Sequence, residues 1–188
     1  TTKIVTAIIV LENHFLNEEV TASYDAVMTI PSGYSTANIQ IGEILTVEQL
    51  LELLLVHSAN DSANVLAEYA GGSIDSFVSM MNTKVNELGL TDTHFTNPYG
   101  LQEDNHYTTS HDLAVIMQYC LKNETFRKIS GQASCAIPAT NKSEPRKYSS
   151  TNELLIAGNR NYYPYLIAGK TGYTSKAGGC LVSVAYNN

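Results

Sequence analysis

Thr1-Thr2-Lys3-Ile4-Val5-Thr6-Ala7-Ile8-Ile9-Val10-Leu11-Glu12 is the stretch whose reading decides the fold. From Ile4 to Leu11 every residue but Thr6 is apolar, a run far shorter than the roughly 20 residues a membrane span needs. Its β-branched content suits a buried strand. Ala7, Leu11 and Glu12 instead let it continue as a helix to about Asn13, packed on all sides by protein. Lys3 opposes the dipole at the start of such a helix. Desolvation there would lower its pKa and make it a candidate base. The plainer alternative is a lysine whose stem is buried while its head snorkels to water.

Outward from this helix, the chain has the composition of a folded protein. Its 188 residues are 44% hydrophobic and 15% charged, which excludes a disordered chain and suits one domain or one with two lobes. A net charge of -7 and the lack of a basic stripe argue against nucleic acid as the main partner. There is no apolar run of transmembrane length and no leader-like segment. Cys120, Cys135 and Cys180 are far apart and read as core thiols, not as a disulfide framework. The five histidines lack metal-ligand spacing, so neither metal nor cofactor is assigned.

Residues 18–38 are turn-rich and read as loops with short strands. Thr46 with Gln49 forms a capping box ahead of an almost wholly apolar helix, Leu50 to Val56, which breaks at His57-Ser58-Ala59-Asn60-Asp61. A second helix is predicted from about Ser62 to Tyr69, ending at Gly71-Gly72, and a third from Ser73 to Gly89. Thr91 to Tyr107 reads as a long loop. Thr109 and Asp112 start a fourth helix, and Glu124 to Ile129 is a short fifth. Beyond Ser134 the chain reads as strands: Cys135-Ala136-Ile137, Lys147 to Ser150, then Tyr165 to Ala168 and Cys180 to Ala185 joined by a Gly172–Gly179 turn.

Two short patterns accompany Lys3. Ser58-Ala59-Asn60 interrupts two helices, where polar side chains either enter a cavity or simply cap the helix near Ser62. Lys170-Thr171-Gly172 closes an apolar strand. There Lys supplies charge, Thr a hydrogen bond and Gly room for a ligand backbone, so the tripeptide suits a carboxylate; a surface turn is the alternative. Each pattern is weak alone, and the ordered trio is strong.

The trio resembles the S-x-x-K, S-x-N and K-T-G set of the penicillin-binding proteins and serine β-lactamases, most closely the low-molecular-mass D-alanyl-D-alanine carboxypeptidases. Support extends through Ser58 to Tyr69, Val78 to Phe95 with Thr93-His94-Phe95, Gly100-Leu101, and Gly169 to Gly179. The resemblance implies a mixed α/β (α+β), β-lactamase/transpeptidase-like fold, with an antiparallel sheet packed by helices plus a helical subdomain. One catalytic domain fragment would span 1–188, helical over about 40–130 and sheet-forming over about 131–188. The family's nucleophilic serine would fall immediately before Thr1. The fragment is therefore expected to be truncated at both ends and inactive as written.

By resemblance, Lys3 would be the base, Ser58 the proton relay and Asn60 a substrate and Lys3 ligand. Lys170 and Thr171 would bind the terminal carboxylate, with Gly172 beside it and Tyr173 contributing an oxyanion-hole N–H. His94 would be structural. The implied reaction removes the terminal D-alanine of peptidoglycan stem peptides through an acyl-enzyme, outside the cell membrane. β-Lactams would be inhibitors, and the parent would carry a signal peptide, with membrane anchoring left open. A class A-like β-lactamase would need a deacylating glutamate, for which Glu153 is the nearest match. An N-terminal threonine hydrolase should begin on a strand. A non-catalytic protein of the same fold is the third alternative.

Overall fold

A computed structural model describes residues 1–186. The opening stretch is helix α1, Lys3–Asn13, and eight successive residues from Lys3 to Val10 are buried. Burial on every face overrides the strand propensity of its Ile and Val residues. Leu50, Leu51, Leu53 and Leu54, together with Phe77, Phe126 and Ile129, belong to the same buried core as α1.

Strand β1 (Glu19–Thr21) pairs antiparallel with β2 (Ile44–Thr46). Between them lies a short helix, α2 (Tyr24–Met28), capped by Ser23. The turn-rich composition of that region hid it. Helix α3 (Val47–Glu52) begins with the full reciprocal capping box of Thr46 and Gln49. It runs on as a π-helical turn, Leu53–His57, and then stops because Ser58 takes the left-handed conformation at φ 65°.

Helix α4 (Asn60–Gly71) starts two residues earlier than its caps suggested, with Ala59 as N-cap and no side-chain capping bond. Neither Ser58 nor Asn60 is therefore the N-cap of α4; Ser58 instead closes the π-helical turn. Helices α5 (Ile74–Glu87), α6 (Ser110–Cys120) and α7 (Glu124–Ser130) follow, capped by Ser73, Thr109 and Asn123.

Strands β3 (Ser134–Ile137) and β4 (Arg146–Ser149) form one antiparallel pair, and β5 (Leu166–Thr174) and β6 (Gly178–Ala185) form another. Among the described residues the strands thus make three two-stranded sheets, not one continuous sheet. The β5–β6 hairpin is longer than its apolar runs indicate. Pairing persists through Lys170↔Val182, Gly172↔Cys180 and Thr174↔Gly178. Lys170-Thr171-Gly172 accordingly lies within β5, because backbone pairing with β6 does not require apolar side chains. No helix among the described residues is long and apolar enough to cross a membrane.

Candidate active site

The N-terminal turn of α1, the α3–α4 break and β5 converge on one cleft of about 890 Å³. Its walls include Lys3, Ser58, Asn60, Thr171, Gly172 and Tyr173. Tyr34 and Ser35 come from the segment before β2, and Tyr99 to Gln102 and His106 to Thr109 come from the segment before α6. Lys170, on β5, is 1% exposed, and its charge acts on Lys3 and on the Thr1 amine.

Lys3 does not snorkel. It is 6% exposed, and its ammonium donates to Asn60 Oδ1 at 2.6 Å and to the Tyr99 carbonyl at 2.9 Å. Both acceptors are neutral, so no carboxylate quenches the charge directly. Burial, and then the nearby positive charge of Lys170, hold the Lys3 pKa well below its ordinary value; Asp61 opposes this. Desolvation lowers Lys170 from 10.5 to about 8, and its ammonium donates to the Thr171 carbonyl at 3.1 Å.

Local folding explains how these groups meet. The left-handed turn at Ser58 costs an L-residue roughly 1–2 kcal/mol. It turns the chain from the π-helical segment into α4, so Ser58 faces the cleft while Asn60 opens α4 beside α1. The Asn60 N–H donates to the Ser35 carbonyl at 2.9 Å. Asp61, 1% exposed, accepts from the Ala37 and Ile39 N–H groups and so anchors the Tyr34–Ser35 wall. On the other side, a Cβ placed on Gly172 would lie 2.7 Å from the Thr1 backbone nitrogen. Only a glycine lets β5 approach the start of α1 so closely.

Several wall residues carried no signal in the sequence. Thr151 Oγ1 lies 2.6 Å from Thr171 Oγ1, a contact made between strands and loops remote in the chain. Tyr99 serves through its backbone carbonyl, which no residue type betrays. Cys180 departs from the core-thiol reading. Cys120 and Cys135 are buried, and burial pushes the Cys135 thiol up to about 12. Cys180 is partly exposed and lines the cleft, because its partner across the hairpin is Gly172, which has no side chain to cover it. Glu153 lies outside the cleft walls and accepts from Asn161 Nδ2 at 2.6 Å.

A buried lysine paired with asparagine at the head of a core helix, facing a K-T-G strand, belongs to the penicillin-binding class of folds. The Streptomyces K15 DD-transpeptidase structure matches with a TM-score of 0.89 and 31% identity, covering 99% of this chain and 74% of that one. A D-alanyl-D-alanine carboxypeptidase structure from Mycobacterium tuberculosis H37Rv matches with a TM-score of 0.87 and 33% identity, covering 99% and 67%. The family model described as D-alanyl-D-alanine carboxypeptidase matches residues 1–188, and the chain belongs to that peptidase family. Among its relatives, DacF of Bacillus subtilis is 34% identical over 98% of this chain, and DacB2 of Mycobacterium tuberculosis is 35% identical over 98%. The chain spans 46% and 60% of the lengths of those two carboxypeptidases.

Proposed function

We propose that this chain is the catalytic core of a serine-type D-alanyl-D-alanine carboxypeptidase, which trims peptidoglycan stem peptides in the bacterial envelope through an acyl-enzyme. The observation that carries the reading is the buried Lys3–Asn60 pair, with Lys170 close enough to depress the Lys3 pKa further. A lysine in that setting is neutral at a pH where an exposed lysine is charged, which is what a base needs.

By the family spacing, the nucleophile is a serine three residues before Lys3, one position ahead of Thr1. It attacks the carbonyl between the two D-alanines while neutral Lys3 takes its proton. Lys3, now an ammonium, passes a proton through the Ser58 hydroxyl to the departing D-alanine nitrogen. The C–N bond breaks and an ester forms. Water then attacks the ester with Lys3 again as base, releasing the shortened peptide and restoring the serine. The substrate carboxylate is held by Thr171, with Lys170 supplying charge. The oxyanion is held by the serine and Tyr173 N–H groups, each worth about 3–4 kcal/mol in comparable sites.

Two observations weigh against the alternatives. Glu153 is bonded to Asn161 and does not line the cleft, which disfavours a class A-like β-lactamase. Thr1 leads into a helix, which disfavours an N-terminal threonine hydrolase. The test is to incubate the full-length protein with labelled penicillin. Stable one-to-one acylation at the serine preceding Thr1 is expected. A folded parent that takes no label would reject the proposal, and rapid penicillin turnover would favour the β-lactamase.

A further inference from the structure

His106 sits in the cleft wall facing α1, and its ring nitrogens are both engaged. The Thr96 backbone N–H points at Nδ1 from 3.1 Å. A backbone N–H only donates, so Nδ1 accepts and the ring proton resides on Nε2. Nε2 lies 2.8 Å from Thr2 Oγ1 and therefore donates to it. The ring also packs edge-on against buried Phe95 at a centroid distance of 5.4 Å. Burial holds His106 down to about 4, consistent with a neutral ring.

Three side chains in the first turns of α1 reach the same wall segment. Thr2 meets His106, the Lys3 ammonium meets the Tyr99 carbonyl, and the Thr6 hydroxyl donates to the Pro98 carbonyl at 2.6 Å. The Thr6 bond is buried one turn below the site, and the Lys3 bond changes whenever Lys3 gains or loses its proton. The Thr2–His106 bond is the fixed tie at the level of the reacting groups. Resting on the peptidase reading above, we propose that His106 is a positioning residue. Through Thr2 it fixes where the head of α1, and with it Lys3 and the adjoining nucleophile, stands against the substrate wall. It touches neither substrate nor reacting atoms.

The test separates the two halves of the ring in the full-length protein. His106→Gln can keep a donor for Thr2 in the Nε2 position. His106→Asn can keep an acceptor for Thr96 but cannot reach Thr2. Per folded molecule, His106→Asn should slow acylation by labelled penicillin about tenfold, as a displacement of well under 1 Å would. Its pre-covalent dissociation constant should stay within about twofold, and His106→Gln should recover most of the rate. Thr2→Val should reproduce His106→Asn, and the double variant should be no slower than either single one. Nitrogen NMR of the wild type should show Nδ1 unprotonated at pH 7. Wild-type rates in His106→Asn, equal losses in His106→Asn and His106→Gln, additive losses in the double variant, or a proton on Nδ1 would each overturn the positioning role while leaving the peptidase reading intact. A wild type that takes no penicillin would remove both.

Discussion

Lys3 Nζ lies 2.6 Å from Asn60 Oδ1, joining the first turn of one buried helix to the first turn of another. An asparagine oxygen orients the lysine without quenching its charge; burial, and then repulsion from Lys170, leave the proton on Lys3 weakly held. Replacing Lys3 by Ala should cost at least about 10³ in acylation rate, in line with the loss of a general base. In the wild type that rate should fall as pH drops through the lowered Lys3 pKa and the base becomes protonated. Stopped-flow acylation against pH checks both.

Lys170 ties stability against function. Its folded pKa of about 8 lies below the ordinary 10.5, so the folded state gives up its proton first. The penalty for burying the ammonium is present in full below about pH 8 and is relieved as pH rises toward 10.5. Lys170→Met should therefore stabilise the protein at pH 7, by on the order of 3 kcal/mol. It should also raise KM for a peptide ending in a carboxylate. Urea unfolding at pH 7 and pH 10, with peptide kinetics, tests this; a less stable Lys170→Met at pH 7 would contradict it.

Gly172→Ala places a Cβ 2.7 Å from the Thr1 backbone nitrogen. Backbone cannot give way as a flexible side chain does, so β5 and the head of α1 must part. Acylation is expected to fall about tenfold or more, a cost typical of misplacement near the chemistry. Melting temperature and penicillin labelling, measured side by side, separate a distorted cleft from global unfolding.

Glu43 is fully buried, paired with Arg146 and bonded to Thr140 Oγ1 and the Gln40 N–H. Arg146 also donates to the Ala37 carbonyl, so the pair fastens the loop carrying Tyr34 and Ser35 to β4. Arg146→Met leaves the carboxylate buried and unpaired, and should cost about 3–5 kcal/mol in denaturant unfolding. A loss under about 1 kcal/mol would mean that the hydroxyl and backbone donors alone satisfy Glu43.

His106 predicts how stability responds to acid. Desolvation lowers its folded pKa from 6.5 to about 4, with Glu103 opposing and the Thr1 amine and then His94 adding to the effect. Its neutral form is favoured by folding, so stability is full above about pH 6.5 and declines as pH falls toward 4. Between those values the melting temperature of His106→Gln should fall less than that of the wild type. Parallel curves would show that other groups carry the acid response.

Much of the frame was legible along the chain. The Thr46–Gln49 box, the Ser73 and Thr109 caps, and the apolar spacing of α5 and α6 act within a turn or two of their own backbone. The family motifs placed Lys3, Ser58, Asn60 and Lys170 in order, though not in space. Errors fell where distant contacts decide: the extension of β5 past Ala168, the start of α4 at Asn60, and the exposure of Cys180.

The sequence by itself determined most of the helices, several of their caps and the membership of the chain in its peptidase family, because periodicity, capping and motif spacing are local properties. Only the tertiary structure decided that Lys3 is buried, that Tyr99, Thr151 and His106 wall the cleft, and that Lys170 is buried close enough to act on Lys3. Those facts depend on desolvation and on hydrogen bonds between segments far apart in the chain, and such quantities exist only once the chain has closed on itself.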